Sequence, residues 1–408
     1  MKFFNLLSIH IFGLVTYFFF FGILNIITGK IEYSTINTLT IIYIFLVIIS
    51  FLIINFLINN KEYSYFFLLK LKKLSNFHLI IFFGLSFLII TYYFFKLTNL
   101  FLYTTLDHPE NKTILEFAKF RHFIIFPILF LLIFTSIYKI FYREKILLYS
   151  TLATIITIFL SFFGRRILAA LLFLSLIIIL NLIMSKKYFI KNLIKKIIIY
   201  SFSFMFLWII FSNYYLNFRI QSIDNSVSKI FWLFDYKKTI NNFSSRPSTF
   251  YQFNRIINFN SNELMVEANG KLIFQSLENS VPKIFFKDKK FIPEDLLISN
   301  YATNSGQEDL SSNALSLFFV DFGVIGIFIY LIFIISIILF YQFILNLLKT
   351  NYIFYLFFYT KAAIALFEIE TIASNYFVVL IIGTMLVIFN YLLNISNLNK
   401  IFSLKEKS

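Results

Sequence analysis

Arginine is the residue in this chain whose placement most needs a chemical reason. Phe163-Gly164-Arg165-Arg166 sits between two apolar runs. An Arg near an apolar membrane zone costs up to about 3 kcal/mol on insertion scales, so something must compensate. Two compensations are open. The side chains can snorkel to lipid headgroups. Alternatively, their planar, two-pronged guanidinium groups can bind a phosphate-bearing ligand. The second is favoured by further basic residues: Arg219, Arg246, Arg255 and Lys283, and Arg121 beside His122. Singly, each reads as a solvated charge or one half of a salt bridge. Collected on one side of a membrane, they suit a pyrophosphate, whose charge lipid cannot stabilise and fixed donors can.

The elements that would hold these residues are apolar helices. Hydrophobic residues make up 59% of the 408 residues, charged residues only 14%, and the mean hydropathy is +0.82. A soluble domain carries nearly twice that share of charge. Apolar runs of about 20 residues predict membrane-spanning helices. They fall at roughly 3–27, 38–58, 77–97, 120–141, 146–163, 166–184, 197–213, 314–341, 351–369 and 374–395. The first is too long, and lacks a small-residue cleavage site, to read as a removed signal peptide. The expected fold is therefore all-α: a polytopic integral membrane protein with ten spans and one large extracytoplasmic loop.

That loop, 214–312, interrupts the apolar pattern with 11 Lys or Arg and 10 Asp or Glu, and with three of the five prolines. Connections of this length are functional or small domains. Three regions follow: a seven-span bundle over 1–213, the loop over 214–312, and three spans with a short tail over 313–408. Basic residues set the orientation. The connections at 59–76, 139–145 and 185–196, Lys2, Lys349 and the tail together carry 17 Lys or Arg; the opposite short connections carry seven. The inside-positive rule then puts both termini in the cytoplasm of a bacterial inner membrane, with the loop facing outward. The same rule explains the net charge of +16 without nucleic acid.

Other chemistry is sparse. There is no Cys and only four scattered His, so no metal site and no cofactor is expected. Walker A, G-x-G-x-x-G, H-E-x-x-H and G-x-S-x-G patterns are absent. Lys361 and Glu368 stand seven apart in the ninth span, hence on one helical face, with Glu370 nearby. They read equally as a structural pair or as functional groups. Asp321-Phe322-Gly323 with Gly326 forms a small-residue notch in the eighth span, suited first to close packing.

Three short segments carry a resemblance. Asn279 to Lys290, with Val281-Pro282-Lys283, resembles the "I-P-R/K" segment late in the outward loop of Wzy-type O-antigen and capsular repeat-unit polymerases. Ser311 to Gly326, with Asp321-Phe322-Gly323, is similar to that family's "D/N-F-G-x-x-G" entry into the next helix. Gly164-Arg165-Arg166 resembles its mid-chain Gly/Arg turn. The family's Arg-x10-Gly repeats are absent: Ile257 and Val266 stand eleven residues after Arg246 and Arg255.

The resemblance implies a membrane glycosyltransferase that joins undecaprenyl-pyrophosphate-linked oligosaccharides at the outer face of the inner membrane. Its partners would be that substrate, membrane lipid, a chain-length regulator and a flippase. Arg165, Arg166, Arg219, Arg246, Arg255 and Lys283 would bind substrate. His122, Asp321 or Glu267 would accept the hydroxyl proton. The competing readings are an O-antigen ligase, which shares the donor, and a polysaccharide flippase or transporter. Transporters concentrate their polar groups near the midplane rather than in a hundred-residue loop. A lipid-phosphate-sugar glycosyltransferase is disfavoured, because the first outward connection, about 29–37, offers only Glu32 as a carboxylate.

Overall fold

A computed structural model describes residues 6–27, 36–57, 70, 73–96, 126–141, 249–261, 268–281, 298, 313–367 and 373–405. Among these residues there is no strand. The helices are α1 (Leu6–Leu14), α2 (Phe21–Ile27), α3 (Thr38–Leu57), α4 (Asn76–Lys96), α5 (Phe126–Phe141), α6 (Thr249–Ser261), α7 (Lys271–Ser280), α8 (Ala314–Phe322), α9 (Ile325–Leu347), α10 (Tyr352–Phe367) and α11 (Ala373–Lys405). A π-helical turn, Val15–Phe20, joins α1 to α2.

Among the described residues, three helices are long and apolar enough to cross a membrane: α3, α9 and residues Ala373–Asn394 of α11. At about 1.5 Å per residue they match a hydrocarbon core about 30 Å thick. Such helices mark a membrane protein. Their outward-facing Ile, Leu and Phe side chains remain exposed, as Ile53 and Ile325 do. That pattern suits lipid as the surrounding solvent.

The chain divides into two compact units. One comprises Ser64–Phe243 with Met1 and Phe3; the other comprises Phe4–Tyr63 and Ser244–Ser408 with Lys2. In the first unit, α4 packs on α5, and Lys139 Nζ donates to Asn76 Oδ1 at 2.8 Å.

The second unit is built around α1, α9, α10 and α11. His10 is buried where three of these meet. Its Nδ1 bonds the Leu366 carbonyl at 2.8 Å and its Nε2 lies 2.9 Å from the Tyr330 hydroxyl. A carbonyl only accepts, so Nδ1 carries a hydrogen. In the neutral ring, Nε2 then accepts from Tyr330. The Phe51 ring meets the imidazole edge-on from α3. Tyr341 on α9 donates to the Tyr376 carbonyl on α11 at 3.0 Å. Near the C-terminal end of α9, Asn390 of α11 donates to Thr350 Oγ1 at 3.1 Å.

The expected eighth span, 314–341, is two helices instead of one. The chain turns at Gly323, whose φ of 57° and ψ of −140° end α8. A residue with a Cβ rarely adopts that backbone conformation. Gly326 then lies directly against the Phe318 carbonyl, so α8 and α9 approach backbone to backbone. Apolar residues continue on both sides of the break, and one Asp and one Gly lower the mean too little for hydropathy alone to read two helices.

Candidate functional site

The site is the joint where the loop helices α6 and α7 meet α8. Helix α8 is capped at its start by Asn313, whose Oδ1 accepts from Ser316 N at 2.7 Å. The helix is buried along most of its length. Its last turn presents Asp321 to α7. Asp321 Oδ1 accepts from Leu272 N at 3.1 Å, and Oδ2 accepts from Ile273 N at 2.9 Å. The residue at the cap of α7 is Gly270, which has no side chain to offer. Asp321 therefore supplies the missing cap from fifty residues away in sequence, and its negative charge faces the positive end of the helix.

The exchange is reciprocal. Ala268 N donates to the Val320 carbonyl at 3.1 Å, and Asn269 N to the Asp321 carbonyl at 3.0 Å. The terminal carbonyls of α8 are thus satisfied by the amides of the turn before α7, and the first amides of α7 by the Asp321 carboxylate. Groups of this kind are orphaned at ordinary helix ends. Asn269 and Gly270 take positive φ, 50° and 84°, to make the turn.

Helix α6 docks on α3 and α8. Asn254 Oδ1 accepts from Asn37 N at 2.8 Å and from Thr40 Oγ1 at 2.9 Å, at the start of α3. Phe253 meets the Phe319 ring edge-on at 5.7 Å. Next to it, the Gln252 side chain is fully buried, with neither amide atom bonded among the described residues. Asn313 Nδ2 and Ser316 Oγ, at the start of α8, are also buried without a bonding partner among the described residues. Each such group costs about 1–3 kcal/mol unless something bonds it. These three residues escape sequence reasoning, because neither a Gln in a polar loop nor an Asn or Ser at the start of an apolar run signals a buried group left without a bond.

Of the candidates drawn from the sequence, Asp321 and Arg255 lie among the described residues. Arg255, on α6, is half-buried with its guanidinium over the Phe259 ring, 5.8 Å from the centroid. No ion pair joins it to Asp321 among the described residues. His122, Glu267, Arg165, Arg166, Arg219, Arg246 and Lys283 lie outside the described residues. Lys361 is buried on α10, while Glu368 and Glu370 fall outside the description. Among the described residues no three His, Asp or Glu gather closely enough to hold a metal ion. Comparison with family models, with curated proteins and with solved structures finds no match for this chain.

Proposed function

We propose that the protein polymerises lipid-pyrophosphate-linked oligosaccharide repeat units at the outer face of a bacterial inner membrane. In this reading ten spans surround the polyprenyl tails, and the 214–312 loop covers the reacting ends. The observation that carries it is the joint at Asp321. The Asp321-Phe322-Gly323 segment, which resembles the family's helix entry, is where loop helix α7 is fastened to α8. Three buried polar side chains with unspent hydrogen-bonding groups, Gln252, Asn313 and Ser316, lie on the helices packed there.

The reaction balances without a nucleotide. An acceptor sugar hydroxyl forms a bond to the anomeric carbon of the donor chain. The bond from that carbon to the pyrophosphate oxygen breaks, and the lipid pyrophosphate leaves with the electron pair. The hydroxyl proton passes to a base. Guanidinium groups stabilise the departing charge, and Arg255 is a half-exposed candidate for this role. Asp321 is fully buried, with both oxygens held by α7 amides, and so suits positioning rather than proton transfer. Glu267, which immediately precedes the Ala268 turn in sequence, and His122 are then the bases to test.

The deciding experiment is the lipopolysaccharide or capsule banding pattern of a deletion strain. Loss of the long-chain ladder with single-repeat material retained is the expected result. Long chains that persist on the lipid carrier but are not transferred would indicate a ligase instead. Repeat units trapped on the cytoplasmic face would indicate a flippase.

A further inference from the structure

Helix α7 has three faces where a helix between protein and water needs two. With about 100° of turn per residue, its side chains sort into thirds. Leu272, Ser276 and Ser280 form one third and are buried, where α7 packs on α8 and α11. Ile273, Leu277, Val281 and Phe274 form the next. There Phe274 is 66% exposed and Leu277 is 44% exposed. Lys271, Glu278, Gln275 and Asn279 complete the circle with polar groups, and Lys271 and Glu278 are exposed.

The place of the helix says what covers the apolar third. Its first turn is held by Asp321, and Gly270 lies against the Phe322 ring. Three residues beyond Phe322 the chain enters α9, a helix long and apolar enough to cross a membrane. The first residues of that entry, Val324, Ile325 and Phe328, are exposed and apolar, Ile325 by 67%. The exposed apolar third of α7 therefore starts at the same level as the lipid-facing surface of α9. A helix with a protein face, an apolar open face and a charged open face is built for the boundary between acyl chains and water.

We propose that α7 lies in the interface of the lipid leaflet, with Phe274 and Leu277 inserted at the acyl boundary and Lys271 and Glu278 among the headgroups. The lipid surface then anchors the first half of the joint at Asp321. The anchor is independent of which reaction the chain catalyses.

The chain has no cysteine, so single-cysteine variants can be labelled without background. Full-length F274C, L277C, K271C and E278C would each carry a nitroxide in phosphatidylcholine vesicles. Collision with dissolved oxygen and with a water-soluble nickel chelate would be measured for each. The expected result is an inversion: labels at 274 and 277 collide mainly with oxygen, and labels at 271 and 278 mainly with nickel. Nickel access at 274 and 277 equal to that at 271 and 278 would overturn the proposal, because the face would be in water. Labels at 274 and 277 shielded from both reagents would also overturn it, because protein would then cover the face. Two positions on each face let the second decide if one variant fails to insert.

Discussion

Asp321 and the Arg165-Arg166 pair pose different questions, and substitutions separate them. Asp321→Ala leaves the Leu272 and Ile273 amides unpaired in a buried place. At about 1–3 kcal/mol for each unmade bond, the second unit should lose about 2 kcal/mol or more. Asp321→Asn keeps one acceptor oxygen and should fall between. Thermal melting in detergent, together with protease nicking near 268–281, reads this out. If Asp321 were also the general base, Asp321→Asn would slow turnover by about 10²–10⁴ beyond what its modest loss of stability accounts for. For Arg165 and Arg166 the informative change is to Lys. Lysine also snorkels, so a lipid anchor tolerates it. A bidentate pyrophosphate grip does not, because the fork is lost while the charge stays. With about 1.5–3 kcal/mol for a charge-assisted bond, Arg165→Lys or Arg166→Lys should slow polymerisation roughly ten- to a hundredfold at unchanged membrane levels. A wild-type ladder in both variants would mark the pair as an anchor.

At the scale of the element, the break between α8 and α9 makes a paired prediction. A Cβ at Gly326 would overlap the Phe318 carbonyl, which is backbone and has little room to give. Gly326→Ala should cost about 1–3 kcal/mol and loosen the attachment of α7 to α8. Gly84 in α4 has nothing within 4 Å of the same added atom. Gly84→Ala should therefore be neutral, or stabilising by up to about 1 kcal/mol through helix propensity. Equal behaviour of the two variants in a detergent melt would refute the close approach. This pair also shows what the sequence revealed. Long apolar runs bounded by polar residues gave helices close to their observed starts: 38 against Thr38, 77 against Asn76, and 351 against Tyr352. The turn at Gly323 was hidden because Phe, Val and Ile continue on both sides. The π-helical turn at Val15–Phe20 was hidden for the same reason. The Asp321 cap was hidden because its partners are backbone amides some fifty residues earlier, and backbone amides have no sequence signature. Gln252, Asn313 and Ser316 were hidden because burial of a polar side chain depends on what packs over it.

At the scale of the whole molecule, charge and the geometry of the second unit together argue the orientation of the chain in its membrane. Seventeen Lys or Arg lie in one set of short connections, the tails included, and seven in the other. The 214–312 loop is excluded from that count because long segments cross the membrane regardless of charge. Within the second unit, the loop helices touch one end of the long helices: α6 bonds Asn37 and Thr40 at the start of α3, and α7 bonds Asp321 just before the start of α9. The opposite end holds Lys349, just past the end of α9, where Asn390 of α11 reaches Thr350. From there α11 continues to Lys405. The basic residues and the loop helices therefore sit at opposite ends of α9, whose 23 residues span about 34 Å. If the lysines are cytoplasmic, the loop is not. A reporter that works only outside the cytoplasm, fused near Asn262, should be active, and one that works only in the cytoplasm, fused at the same point, should be silent. The reverse pattern would place the Asp321 joint on the cytoplasmic side. Chain extension at the outer face would then be impossible for this molecule, whatever the other variants showed.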